Sequence, residues 1–498
     1  MILFNKGSRP RVMPKFYINN CELLYVTELK FLGVYFTNTL QWNKHIDYLL
    51  KKANKSLNLL KIISTKKWGQ DTKLLLHLAT ALVRSKLTYG QEIYFSAPDY
   101  LLKKLQSLDS KAIKIALGVP IHTKTSSVYE AVGIYSLDQW RKLSCAKYII
   151  RASAISNSNS NELNVRSDLH FPKRAHSINY LQTIATYCND IFESAHLDPT
   201  NVSKKVVSTP MPVWEFKRAN FDSNHTNLSK KDNIHLLVEH TRSHLDEHYL
   251  NDMKVFTDGS VLDNGGVGAG YVIPFLSIRE SFSLTKGHSI FTAELTAILM
   301  ALSKIVDLPN TPFSIVICSD SKSALQAIES NTSKEKFELI YEIKHLMHTL
   351  ILKGTIVSFC WIPSHCGFLY NDWADREARR GAQCQQTTLS LSFSAQEMYH
   401  IIEKNLKNKY TSKKPLVTLM SSSRHITSLA NRLSLNSWRT KYCKDVTCIC
   451  GNKLSVQHII KECNTIKTYI YDNLCEQDNL YWVKLAKSFI YSPIGRFL

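Results

Sequence analysis

Residues 43–65, NKHIDYLLKKANKSLNLLKIIST, place Ile46, Leu49, Leu50, Ala53, Leu57, Leu60 and Ile63 on one face of a 3.6-residue period, with lysines on the other. That spacing predicts an amphipathic helix. A second helix is predicted from an Asp71 cap through LLLHLATALVRSKL, and a third, DYLLKKLQSLDSKAIKIALG, begins after Pro98 and stops at Gly118, with Pro120 beyond. KFYI and KFLGVYF read as short strands ahead of them. Residues 1–150 are therefore expected to be mainly helical. SAISNSNSNELN at 153–164 reads as a polar linker, and residues 165–250 give mixed signals, so 151–250 receives no assigned fold.

From Lys254 the period shortens. KVFTDGS, VGAGYVI and RESFSLT are β-type runs, the first two joined by a Gly-rich turn. A helix, FTAELTAILMALSKI, comes next, then a buried-type strand, FSIVICSD, and two helices, SKSALQAIE and EKFELIYEIKHLMHTLILKG. TIVSFCWI is a further strand and NDWADREARRGA a final helix. Three meandering strands followed by alternating helix and strand predict an α/β domain over 251–383, with a mixed five-stranded sheet and flanking helices. Residues 384–498 are expected to form a basic helical tail.

Composition narrows the class. At 498 residues and 44% hydrophobic, the chain can bury two to four cores. It has no apolar run of membrane-spanning length, and MILFNKGSRPRV lacks the features of a secretory signal, so the expectation is an intracellular protein of nucleus or cytoplasm, not secreted and without a membrane partner. Its 12 cysteines are too sparse for a disulfide scaffold. The net charge of +21 is uneven. Residues 1–150 hold 23 basic against 9 acidic side chains, 151–250 hold 11 of each, 251–383 hold 12 against 14, and 384–498 hold 16 against 7. Basic flanks suit a polyanionic partner, whereas an acidic middle suits carboxylates gathered around cations.

The acids of that middle follow a pattern. Asp258 comes at the end of KVFTD, Asp320 closes IVICSD, Glu294 lies on the helix FTAEL, and Asp375 lies on the last helix. Sequence-distant carboxylates at strand ends and on covering helices can converge, and their repulsion is costly unless divalent cations are bound. Such a cluster suits two-metal phosphodiester hydrolysis; solvated surface acids are the bland alternative. In WIPSHCGFLYNDWADREARRG, His365 beside Cys366 also admits three readings: a zinc pair, part of a catalytic cluster, or a polar loop before a helix.

TDGS at 257–260, AEL at 293–295, SDS at 319–321 and the stretch from His365 to Asp375 resemble, in that order, type 1 ribonuclease H. The resemblance implies a hydrolase that cleaves the RNA strand of RNA–DNA hybrids with two Mg²⁺ about 4 Å apart, Mn²⁺ being a substitute. It assigns metal binding and catalysis to Asp258, Glu294, Asp320 and Asp375, and proton handling to His365, ten residues before Asp375. Ser260 and Asn371 are implied substrate-backbone contacts. Asp372 stands where relatives often carry Glu.

KFLGVYF, LQWNKHI, Trp68-Gly69, LVRSKLTYG and ALGVP resemble the end of the palm and the thumb-like region of reverse transcriptases from non-LTR retrotransposons of the Jockey/I-like kind. Neither a YxDD nor an FADD motif occurs, so polymerase activity is not expected. In CKDVTCICGNKLSVQHIIKEC, seven residues separate Cys450 from His458 and four separate His458 from Cys463. With Cys448 these make a candidate structural Zn²⁺ site, in which Cys443 could replace Cys448 or Cys450. This cluster resembles those downstream of the ribonuclease H domain in such retroelement proteins, where it is taken to bind nucleic acid; buried reduced cysteines are the plainer alternative. Two further readings stay open: a non-catalytic nucleic-acid-binding relic, and a DNA-cutting transposase or resolvase on the same fold.

Overall fold

The computed structural model describes residues 1–2, 4, 15–65, 69–155, 171–172, 181–182, 184–203, 211–222, 234–330, 336–364, 367–410, 424–435, 450 and 458. The expected linker beyond Ile155 lies outside them. In chain order the elements are β1 (Tyr17–Ile18), β2 (Cys21–Glu22), β3 (Glu28–Phe31), β4 (Val34–Thr37), α1 (Asn43–Ile63), α2 (Thr72–Leu78), α3 (Ser85–Leu87), α4 (Asp99–Leu117), α5 (Thr125–Val132), α6 (Leu137–Ile155), β5 (Phe171–Pro172), β6 (Leu181–Gln182), α7 (Ile184–Ala195), β7 (Asn220–Asp222) and α8 (Ile234–His248). Then follow β8 (Met253–Val261), β9 (Val267–Ile273), β10 (Ile278–Leu284), α9 (Ile290–Val306), β11 (Ser314–Ser319), α10 (Lys322–Glu329), α11 (Phe337–Leu352), β12 (Ile356–Trp361), α12 (Leu369–Gln383), α13 (Ala395–Tyr410) and α14 (Arg424–Ser434). No helix among the described residues is long and apolar enough to cross a membrane. The chain divides into two compact units.

One unit comprises residues 1–148, 165–194 and 403–498. Its core forms where the apolar face of α1 (Ile46, Leu49, Ala53, Leu57, Leu60) meets that of α4 (Leu101, Leu105, Ala112, Ile113). Asp71 caps α2 by accepting from the Leu74 amide at 3.0 Å, and Gly118 ends α4 at φ 72°. Two local expectations change. The helix after Asp71 is interrupted by a π-helical segment, Ala79–Arg84, and the buried Arg84 forks onto Asp109 of α4 with Nε and Nη2 at 3.0 and 2.6 Å. KFLGVYF is a hairpin rather than one strand, because Leu32 and Gly33 both take positive φ and form a two-residue turn between Phe31 and Val34. From the basic C-terminal region, α14 closes the end of α4: Asn431 Nδ2 donates to the Leu117 carbonyl at 3.0 Å and Arg432 Nε to that of Gly118 at 2.8 Å.

The other unit comprises residues 149–164 and 195–402. Its sheet has the order β10-β9-β8-β11-β12-β7, antiparallel from β10 to β8 and parallel from β8 to β7. All five strands expected between 251 and 383 are present, and a sixth, β7, is added from the stretch that had no assigned fold. Strand alternation sends Ile315 and Ile317 into one core with α9, α10 and α11, and Val316 and Cys318 into another with α8 and α12. Every residue of β9 and β11 is buried, as in a sheet covered on both faces.

Candidate active site

Register brings the first two acids together. Ser319 of β11 pairs with Thr257 of β8, so Asp320 and Asp258 are the next residues on adjacent parallel strands. Glu294 reaches them from α9, which lies against β8 at Gly259: a Cβ there would stand 2.6 Å from the Glu294 amide nitrogen. The carboxylates of Asp258, Glu294 and Asp320 offer atoms within 4.8 Å of one another.

The fourth acid arrives on α12. Asp258 pairs with Gly270 of β9, and α12 lies directly on that strand: a Cβ on Gly268 would stand 2.2 Å from the Ala378 carbonyl oxygen, and one on Gly270 2.4 Å from the Ala378 nitrogen. The Gly-rich VGAG stretch is therefore the floor that seats this helix as well as the end of a turn, and its partners are the small residues Ala378, Gly381 and Ala382. That match of small residues on strand and helix was the signal in the sequence. Asp375 is oriented by Arg379, whose Nε donates to Oδ1 at 2.9 Å.

Burial first, then the charges of Asp320 and Asp375, pushes the Asp258 carboxyl up to about 8, against the Gly259 amide, which donates to its Oδ1 at 2.8 Å. Burial, with Asp258 and Asp320 nearby, likewise raises Glu294 well above the ordinary carboxylate range. Among the described residues, the buried Glu294 Oε2 has no hydrogen-bond partner. A buried acceptor with no donor, inside a set of crowded carboxylates, is the chemistry a hard divalent cation relieves, so these residues fit Mg²⁺ or Mn²⁺.

Asn371 is buried one helical turn before Asp375, its Oδ1 without a hydrogen-bond partner among the described residues. Ser260, half-buried, follows Asp258 on the same face of β8. Trp361 was missed in the sequence: its Nε1 donates to the Asp320 carbonyl at 3.2 Å and ties the end of β11 to β12. His365 and Cys366 lie outside the described residues, as do Cys443, Cys448 and Cys463. In the other unit, Cys450 Sγ lies 3.1 Å from the Nε2 of the buried His458.

A mixed sheet carrying acids at adjacent strand ends and on its covering helices defines a ribonuclease H-like fold. Residues 250–383 match the RNase H family and form an RNase H domain. Two bacterial proteins, each called ribonuclease H, are similar to it. That of Blochmanniella pennsylvanica is 27% identical over 143 residues, covering 26% of this chain and 93% of the relative. That of Helicobacter acinonychis is 28% identical over 138 residues, covering 27% and 95%. Among solved structures, RNase H1 of Halobacterium salinarum matches at 18% identity and a TM-score of 0.21, covering 26% of this chain and 95% of that one.

Proposed function

We propose that this protein hydrolyses the RNA strand of RNA–DNA hybrids in a reaction dependent on two Mg²⁺. The observation that carries the reading is the convergence of Asp258, Glu294 and Asp320 from three elements of an RNase H domain, with Asp375 beside Asp258. These four residues would hold the cations, and Mn²⁺ would serve in place of Mg²⁺. Bound there, the cations supply activation of the attacking water and charge neutralisation at the leaving 3′ oxygen.

The remaining roles belong to side chains. Asn371 presents a buried oxygen, unpartnered among the described residues, one turn before Asp375 and suited to fixing a donor on the substrate, and Ser260 offers a hydroxyl beside Asp258 for the nucleic-acid backbone. His365 would pass a proton between solvent and the reacting oxygens. Contacts to 2′-hydroxyl groups would select RNA, and the basic residues 1–150 and 384–498 would add salt-sensitive affinity for the duplex.

The chain as a whole reads as part of a non-LTR retrotransposon polyprotein that works in nucleus or cytoplasm, with residues 1–150 as a thumb-like element without polymerase activity. Cys448, Cys450, His458 and Cys463 would hold a structural Zn²⁺; the close approach of Cys450 and His458 supports that set. The test is a substrate panel. Purified full-length protein with Mg²⁺ should cut the RNA of a hybrid and leave duplex DNA and duplex RNA intact. Cleavage of duplex DNA would move the reading to a transposase-like nuclease, and an inert protein would leave a nucleic-acid-binding relic.

A further inference from the structure

Across three neighbouring parallel strands, Cys318 of β11, Cys360 of β12 and Asp222 of β7 stand in one register row. Partnered positions of a sheet present their side chains to the same face, and this face is covered by α8. From that helix His244 reaches the row, its Nε2 in contact with Asp222 Oδ2. Asp222, His244 and Cys360 each offer a ligating atom, all within 4.8 Å of one another. Among the described residues this is one of two groups spaced to share a cation. The other is the acidic cluster at the ends of β8 and β11, built from oxygen alone.

We propose that Asp222, His244 and Cys360 form a second metal site, for a divalent transition ion of the zinc class, with water in a fourth position. One sulfur, one imidazole nitrogen and one carboxylate oxygen are the donor types such an ion takes, at bonds of about 2.0–2.3 Å. Donors within 4.8 Å of one another need only small side-chain adjustments to meet around it. Mg²⁺ is excluded by the same set, because it prefers oxygen and does not take a thiolate.

The surroundings suit a ligand set. Tyr249 donates its hydroxyl to Asp222 Oδ2 at 3.4 Å and steadies the carboxylate, and the His248 ring stacks on His244 at 4.3 Å between centroids. The side chains of Asp222 and His244 are 24% and 14% exposed, which leaves a path for an ion and for water, while Cys360 is fully buried and forms the inner wall. Binding would release the thiol proton of Cys360 to solvent and leave no charge transfer or redox step to balance. The ion would fasten β7 and α8, both outside the matched RNase H stretch, to the core strand β12.

Cobalt(II) is the probe, because a thiolate ligand gives it a near-ultraviolet charge-transfer band that oxygen ligands do not. The full-length protein is used with Cys448→Ser, Cys450→Ser and His458→Gln, which silence the C-terminal cluster. On titration with cobalt this protein should develop the thiolate band, which the oxygen-only acidic cluster does not give, and zinc should abolish it. Adding Cys360→Ser or His244→Gln should abolish the band. Zinc should also raise the unfolding temperature of the parent by more than that of His244→Gln, each compared with its own zinc-free form. A parent protein without the band, or a band that survives either substitution, overturns the proposal.

Discussion

Glu397→Gln should be among the most damaging single changes outside the acidic cluster. Glu397 stands on α13 with its side chain 5% exposed, and it accepts from the Ser289 amide at 2.7 Å, Ser289 Oγ at 3.0 Å, Thr292 Oγ1 at 2.6 Å and the Ser394 amide at 2.8 Å. It also pairs with Lys336 Nζ at 2.8 Å, and that lysine side chain is only 3% exposed. Burial alone would raise the Glu397 carboxyl, but His288, Lys336 and the Ser289 amide hold it well below the ordinary range. Burial also pulls the Lys336 ammonium down despite its partner, so much of the site's worth comes from the hydroxyl and amide donors. Gln removes the charge and leaves Lys336 buried without its counter-ion, a break worth about 3–5 kcal/mol. For a unit of this size that is roughly a 6–20 °C fall in unfolding temperature.

The pH dependence gives the sign. A carboxyl depressed in the folded state stabilises above its unfolded value and loses that contribution as pH falls. The gap between wild type and Glu397→Gln should therefore be constant near neutrality and shrink below the ordinary value of 4.5. Because Ser289 is the N-cap of α9, the helix that carries Glu294, hybrid cleavage should fall with the same substitution. Thermal unfolding from pH 3 to 8 reads the first effect. A gap of under about 1 kcal/mol at pH 7, or one that is flat down to pH 3, would refute the reasoning.

Further outcomes concern the site itself. Asp375→Asn should cut hybrid cleavage by about two to three orders of magnitude, because several kcal/mol of cation-borne stabilisation depend on the quartet, whereas Asp372→Asn should stay within about threefold of wild type. Gly270→Val should lift α12 from β9 and cost about 1–3 kcal/mol by overpacking, visible as a lower unfolding temperature together with lost cleavage. Since burial, and then the neighbouring carboxylates, hold Asp258 up to about 8, a cation must displace a proton there. Mg²⁺ affinity measured by calorimetry should rise between pH 6 and 8, and the proton release should be smaller in Asp258→Asn, where Glu294 remains raised by burial.

Much of the fold could be read in advance because its signals are local. The heptad-like face of α1, the Asp71 cap and the Gly118 stop each lie within a turn of what they define. Asp258, Glu294 and Asp320 were legible for a similar reason, since each follows or interrupts an apolar run, whereas Asp375 sits in a polar helix and was placed by the order of the motifs. What escaped depends on distant partners. The three-residue β7 has no alternation to betray it and exists only because β12 offers a free edge. Glu397 drew no reading from the sequence, because its donors Ser289 and Thr292 lie more than a hundred residues upstream. The glycines of VGAG were read only as part of a β-type run, and the backbone of α12 lying on them explains why no side chain fits.

The central claim is that an RNase H domain in this chain uses its carboxylate cluster to cut RNA in hybrids. The most direct test is the initial rate of RNA cleavage in a uniform hybrid by the full-length protein with Mg²⁺, beside Asp258→Asn folded to the same unfolding temperature. The account predicts Mg²⁺-dependent cleavage that drops by about a thousandfold or more in the variant, as several kcal/mol of lost stabilisation require. Equal rates in the two proteins, or no cleavage by the unsubstituted chain at any Mg²⁺ or Mn²⁺ concentration, would contradict it.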